Sequence, residues 1–167
     1  MSDETLLAEP GRSVDDALRN ILLSVDHATA CEAPPSFDWS RAIERVRAIQ
    51  AEVQSITGRQ FEIDENVQDG SFFTDLATYD EEPRPEGSIL RHTVLALRFS
   101  AFGDLFTTWS VCSNDAKLDP RIIDRVISVA RRAGFVYVVA DDLEAEYTGS
   151  NPHLAGTSWW VRYFDYL

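Results

Sequence analysis

The stretch that decides the fold is residues 88–140, SILRHTVLALRFSAFGDLFTTWSVCSNDAKLDPRIIDRVISVARRAGFVYVVA. Residues 89–99 and 105–112 are rich in β-branched and aromatic side chains, and the turn formers Gly103 and Asp104 separate them. This pattern predicts a β-hairpin.

A hairpin loop of two or four residues divides the side chains between two faces, whereas a three-residue loop would flip one strand relative to the other. The drier face should be core, and it carries Leu95, Leu97, Phe99, Phe106, Thr108 and Cys112. The second face is mixed, so it should be covered only in part or should serve as a surface. It carries His92, Val94, Ala96, Arg98, Thr107, Trp109 and Val111.

An amphipathic helix is predicted after this hairpin. Asp119 is a favoured N-cap residue, and Pro120 suits the first helical position because its missing N–H has no intrahelical partner there. Gly134 favours the left-handed conformation that commonly ends a helix. Between these signals, apolar residues recur at helical spacing, at Ile122, Ile123, Val126, Ile127, Ala130 and Ala133.

Residues 135–140, FVYVVA, are a short apolar run that predicts a buried strand. A strand, a helix and an immediate second strand predict that residues 105–112 and 135–140 run parallel, joined by a right-handed crossover. The sheet is therefore expected to be mixed.

The N-terminal part of the chain predicts a flexible tail over residues 1–12 and then the start of a single domain that spans residues 13–167. Ser13 should cap a first helix, and a second helix should run from near Asp38 to Gly58. These two helices are expected to pack against each other as a hairpin.

Two more strands are predicted over residues 60–63 and 71–79, with Asp69 and Gly70 as a turn signal between them. Residues 80–87, DEEPRPEG, combine two prolines with four carboxylates and should form an exposed connection into the central stretch.

Beyond the central stretch, residues 141–157 are expected to form a long loop, and the aromatic residues 158–167 a last strand covered on both faces. The complete prediction is an α+β fold. An N-terminal helical hairpin and one crossover helix pack on a mixed, mostly antiparallel sheet of five or six strands.

The net charge of −13 indicates the kind of partner. Nucleic acids and anionic membranes bind basic surfaces, so both are excluded as expected partners, and a basic protein remains. Cys31 and Cys112 do not make a disulfide framework, and no apolar segment has the length of a signal peptide or membrane span. We therefore expect a cytoplasmic protein that is a monomer or a weak homodimer.

Motifs that define a catalytic chemistry are absent from the sequence, including phosphate-binding glycine loops, nucleophile elbows and paired Cys-x-x-Cys. His27, His92 and His153 show no spacing typical of metal ligands. We expect no cofactor and no bound metal. The protein is more consistent with a binding role than with an enzyme.

One alternative is a site at the sheet edge. Ser113, Asn114 and Asp115 follow one predicted parallel strand, and Asp141 and Asp142 follow the other, so these side chains should emerge at the same edge. Their carboxylates would hold Mg²⁺ or act as an acid and base pair. The chain would then be a small hydrolase or ligand-binding enzyme.

The favoured candidate site is an acidic surface with aromatic neighbours, formed by Asp141, Asp142, Glu144, Glu146, Tyr147 and Trp159. The acidic residues 80–86 were expected to contribute to the same surface. Tyr and Trp beside charged residues are typical of protein interfaces. A small acidic α+β domain of this kind resembles the immunity proteins that bacteria use against basic toxin domains. The resemblance implies an inhibitor-type partner of a basic protein and assigns no residue a role.

Overall fold

The structure is a computed structural model that describes residues 14–111 and 118–167. Its centre is a five-stranded sheet whose strands lie side by side in chain order. The strands are β1 Glu62–Ile63, β2 Phe72–Pro83, β3 Ile89–Ser100, β4 Leu105–Trp109 and β5 Val136–Tyr137. The first four strands are antiparallel to their neighbours and β5 runs parallel to β4. The predicted mixed, mostly antiparallel sheet is confirmed.

The β3–β4 hairpin has the predicted register. Leu97 lies opposite Thr108, and Phe99 lies opposite Phe106, so these side chains share one face. The turn residues Gly103 and Asp104 both have positive φ, at 62° and 56°, as a two-residue hairpin turn of type I′ requires. A Cβ on Gly103 would lie 2.1 Å from a methyl group of Val25, so a larger residue does not fit there.

The described residues contain four α-helices: α1 Asp16–Ser24, α2 Trp39–Thr57, α3 Pro120–Arg132 and α4 Trp159–Phe164. The predicted ends of α2 and α3 are confirmed. Asp38 accepts a hydrogen bond from the N–H of Arg41, and Asp119 accepts one from the N–H of Arg121. The α1 helix is capped by Asp15, whereas the predicted cap, Ser13, lies outside the described residues.

The helices cover both faces of the sheet and make two apolar clusters. The first cluster joins α2 and α3 to one face through Val46, Val126, Phe99 and Phe106. The second joins α1 and α4 to the other face. Because α1 buries Leu22 in the second cluster, the main helical neighbour of α2 is α3 rather than α1. Thus α1 and α2 follow one another along the chain, but their apolar side chains serve different layers.

Several strand boundaries differ from those expected. Residues 80–83 were expected in an exposed connection but continue β2, with Pro83 opposite Ile89 in β3. Both edge strands are only two residues long, so the predicted runs at 60–63 and 135–140 were too long. The predicted end of β4, at Cys112, lies outside the described residues.

The predicted C-terminal strand is wrong, because the aromatic segment forms α4. Trp159 and Tyr163 are four residues apart and stack at 5.8 Å between ring centroids. Ser158 caps this helix by accepting the N–H of Val161. Aromatic residues at consecutive positions suit a two-faced strand, but they also satisfy helical i, i+4 pairing. The predicted loop before α4 also has its own structure, two 3₁₀ helices at Ala140–Glu144 and Pro152–Leu154.

Trp159 should be essential for stability. Its side chain is 1% exposed in the second cluster. Truncation of a large buried aromatic residue leaves a cavity, so Trp159→Ala should lower the free energy of unfolding by about 3–5 kcal/mol. Urea denaturation at constant pH measures this loss. Trp39, which is 44% exposed, is the matched control, and equal losses in the two variants would contradict the assignment of Trp159 to the core.

Candidate functional site

The predicted acidic residues lie directly after the edge strand β5. We call residues 141–146 the acidic segment. Asp141, Glu144 and Glu146 are exposed and Asp142 is partly exposed, while Leu143 and Ala145 between them are buried. The alternation directs the carboxylates outward from apolar side chains that belong to the second cluster.

The backbone of the acidic segment is held in place by the start of α4. The N–H of Trp159 donates to the carbonyl of Ala145 at 3.1 Å, and the N–H of Tyr147 donates to the carbonyl of Thr157 at 2.9 Å. Glu146 and Ser158 form a β-bridge between these bonds. The carboxylates therefore project from a fixed frame rather than from the long loop that was expected.

No carboxylate of the acidic segment forms an ion pair with a described residue. The acids of β2 differ in this respect, because Asp80 pairs with Arg59, Glu81 with Arg91 and Glu82 with His92. The two acidic regions that were expected to act together are therefore electrostatically different. The charge on β2 is compensated within the fold, and the charge on the acidic segment is not.

Tyr147 and Trp159 are placed beside the acidic segment but face inward. They are 5% and 1% exposed, and their ring centroids are 4.8 Å apart in an edge-to-face arrangement. A surface anchor for a partner must be accessible, so the expectation for these two aromatic residues does not fit the structure. They belong to the core that supports the acidic segment.

A buried ion pair that was not anticipated from the sequence lies behind these aromatic rings. The guanidinium of Arg162 donates to Asp26 Oδ1 at 2.7 Å, and the two side chains are 0% and 2% exposed. Arg162 also donates to the carbonyls of Cys31 and His27 at 3.2 and 3.3 Å. Its guanidinium lies 3.9 Å from the centroid of the Phe102 ring.

The second oxygen of Asp26 is equally well satisfied. Asp26 Oδ2 accepts the Tyr147 hydroxyl at 2.7 Å and the N–H and hydroxyl of Ser150 at 2.6 and 2.9 Å. A Cβ on Gly149 would lie 2.4 Å from this oxygen, so the chain approaches Asp26 closely only because residue 149 is glycine.

These contacts shift two pKa values. Burial raises the pKa of Asp26, but the hydrogen bonds from Ser150, Tyr147 and Arg162 favour the carboxylate more strongly, and the net effect lowers the pKa. Burial, together with the hydrogen bond to the Asp26 carboxylate, raises the pKa of Tyr147 to about 12. At neutral pH, Asp26 is therefore charged and Tyr147 remains a hydrogen-bond donor.

A second buried ion pair lies on the sheet face that was expected to be covered only in part. Arg98 of β3 donates to both oxygens of Asp75 of β2, at 2.9 and 2.7 Å. Its remaining terminal nitrogen donates to the carbonyl of Phe164 in α4 at 2.9 Å. Arg98 thereby connects the sheet to α4, and Arg98 and its neighbour Thr107 are buried.

The alternative site at the sheet edge receives no support from the described residues. Asp115, Ser113 and Asn114 lie outside them. Within residues 14–111 and 118–167, no group of three or more His, Cys, Asp or Glu side chains is arranged to hold a metal ion. His27 accepts the N–H of Ala30 at 3.0 Å, as a local turn contact.

A membrane span was not expected from the sequence, and none of the described helices is both long and apolar enough to cross a bilayer. Comparison of the chain with models of protein families, with curated proteins and with solved structures found no match. The candidate site is therefore defined by its own geometry alone.

The Asp26 carboxylate should make stability depend on pH. Because its pKa is lowered in the folded state, its contribution is fully present above the unfolded value of about 4 and is lost as pH falls through the folded pKa. Asp26→Asn leaves Arg162 without a buried counter-charge, so it should cost about 3–5 kcal/mol at pH 7.

Chemical denaturation between neutral and acidic pH measures this effect. The difference between wild type and Asp26→Asn should shrink as the pH falls below about 4, because protonation removes the same charge from the wild type. Glu32→Gln, at an exposed position nearby in sequence, should change stability little. A difference that stays constant across the acid range would show that the carboxylate charge is not what Asp26 contributes.

Proposed function

We propose that this protein is a cytoplasmic, non-catalytic binding module, an immunity- or inhibitor-type protein that binds a basic partner such as a toxin domain through the acidic segment. It acts as a monomer or weak homodimer. The observation that carries the proposal is that Asp141, Asp142, Glu144 and Glu146 project from a fixed backbone and pair with no described cation.

Unpaired carboxylates on a fixed frame suit the recognition of positive charge. The protein has a net charge of −13, so its long-range field attracts a basic partner and accelerates association. A frame that is ordered before binding lowers the conformational entropy lost in the complex. Both effects apply to the acidic segment, whereas Arg59, Arg91 and His92 already screen the acids of β2.

Apolar contact area for such an interface is available next to the acidic segment. Val139 directly precedes it and is 45% exposed, and Val136 of β5 is 38% exposed. Protein interfaces usually combine an apolar centre with a charged rim. In this proposal the two valines replace Tyr147 and Trp159 as the apolar part of the surface, because both aromatic side chains are buried.

The proposal is tested by capture of partners with two charge-matched variants. The first variant carries Asp141→Asn, Asp142→Asn, Glu144→Gln and Glu146→Gln. The control removes four exposed carboxylates that form ion pairs with arginines elsewhere, through Glu52→Gln, Glu62→Gln, Glu65→Gln and Glu81→Gln. Each variant changes the net charge from −13 to −13 + 4 = −9.

Wild type should capture a basic protein from an extract of the cells that make it, and the partner is then purified for kinetics. At low salt the acidic-segment variant should associate about tenfold more slowly or worse, with the dissociation rate changed much less. The control should stay close to wild type, and all three proteins should keep similar melting temperatures. An acidic partner, or equal slowing in both variants, would show that the acidic segment is not the binding site.

A further inference from the structure

A cavity of about 390 Å³ lies between the start of α2 and the β3–β4 turn. Its volume falls within the range of about 300–1,000 Å³ that is typical of small-molecule sites. The lining combines aromatic and charged side chains, among them Phe37, Arg41, Arg45, Phe73, Asp104 and Phe135. None of these residues belongs to the acidic segment, so this cavity and the proposed binding surface are separate features.

Arg45 forms a rigid wall of this cavity. Its guanidinium lies over the Phe135 ring, 4.2 Å from the centroid, and donates to the carbonyl of Ala133 at 3.3 Å. It also pairs with Asp104. An arginine with a stacked face and two acceptors holds one orientation, and a guanidinium has five N–H donors, so part of its donor capacity remains for a ligand.

The apolar part of the lining is aromatic. The rings of Phe37 and Phe73 pack at 5.3 Å between centroids, and Trp39 closes on both of them from 5.0 and 6.3 Å. Phe73 is buried and is therefore fixed. Ring faces and edges of this kind accept a planar apolar group by offset or edge-to-face contact.

Arg41 supplies a positive charge that the fold does not use. It lies one helical turn before Arg45 on α2, and its guanidinium forms no ion pair with a described residue. The two carboxylates of the lining have other partners, because Asp104 pairs with Arg45 and Asp38 accepts the backbone N–H of Arg41 as the helix cap. In a chain of net charge −13, an uncompensated guanidinium beside an aromatic cavity stands out.

We propose that this cavity binds a small organic carboxylate that carries a planar apolar ring. The carboxylate pairs with Arg41, whose planar fork matches a carboxylate in a bidentate geometry. The ring of the ligand packs against Phe37 and Phe73. A phosphate is a poorer match, because half of the lining offers it no hydrogen-bond donor and one guanidinium does not balance its charge.

NMR titration of the full chain tests this proposal with three probes. Benzoate has the ring and the charge, benzyl alcohol has the ring alone, and inorganic phosphate has the charge alone. Benzoate should give saturable shifts centred on the residues that line the cavity, and the other two probes should bind about tenfold more weakly or worse. If benzoate does not saturate, or if either partial probe binds equally well, the proposal is wrong.

A pair of variants on α2 separates the cavity from general charge effects. Arg41→Gln should weaken benzoate binding about tenfold, which corresponds to the loss of a charge-assisted hydrogen bond. Arg47→Gln, which removes an exposed arginine paired with Glu65 on the same helix, should leave it unchanged, and Arg41→Lys should retain part of the affinity. Both positions are exposed, so each variant should fold. Equal weakening by Arg41→Gln and Arg47→Gln would overturn the assignment.

Discussion

The buried ion pair between Asp26 and Arg162 is the interaction on which the second layer of this protein depends. Two charges removed from water cost several kcal/mol each, and the cost is recovered only if every remaining donor and acceptor finds a partner. Here the carboxylate binds the segment around Ser150, and the guanidinium binds the carbonyls of the linker that follows α1. The hydroxyl of Tyr163 adds a bond to Leu22 at 2.6 Å, so α1 and α4 are joined twice.

Arginine is used in the same way on the adjacent part of the sheet. Arg98 and Arg162 each pair with a buried aspartate, donate to backbone carbonyls and lie over an aromatic ring, Phe72 and Phe102 respectively. A guanidinium suits this role because it is weakly hydrated, planar and rich in donors. As a result, a sheet face with a mixed polar composition becomes part of the interior.

The proposed function depends on this second layer. The acidic segment is fixed because its backbone bonds to residues at the start of α4, and α4 is fixed by Arg162 and by its aromatic side chains. Loss of the ion pair would therefore affect the shape of the acidic surface without touching its charges. The cavity near Arg41 belongs to the other layer, where α2 and α3 cover the sheet, and its walls are built from separate contacts.

The sequence by itself determined the elements whose signals are local. The Asp119 cap with Pro120, the Gly103–Asp104 turn and the strand alternation around Phe99 each act within a few residues, so their physics is visible in the chain. The acidic segment was also recognised, because its composition is local. Only the tertiary structure decided that α4 is a helix and that Tyr147 and Trp159 face inward. The reason is that Arg162 and Tyr147 find Asp26 across separations of 136 and 121 residues, and such pairings leave no pattern in any short window of sequence.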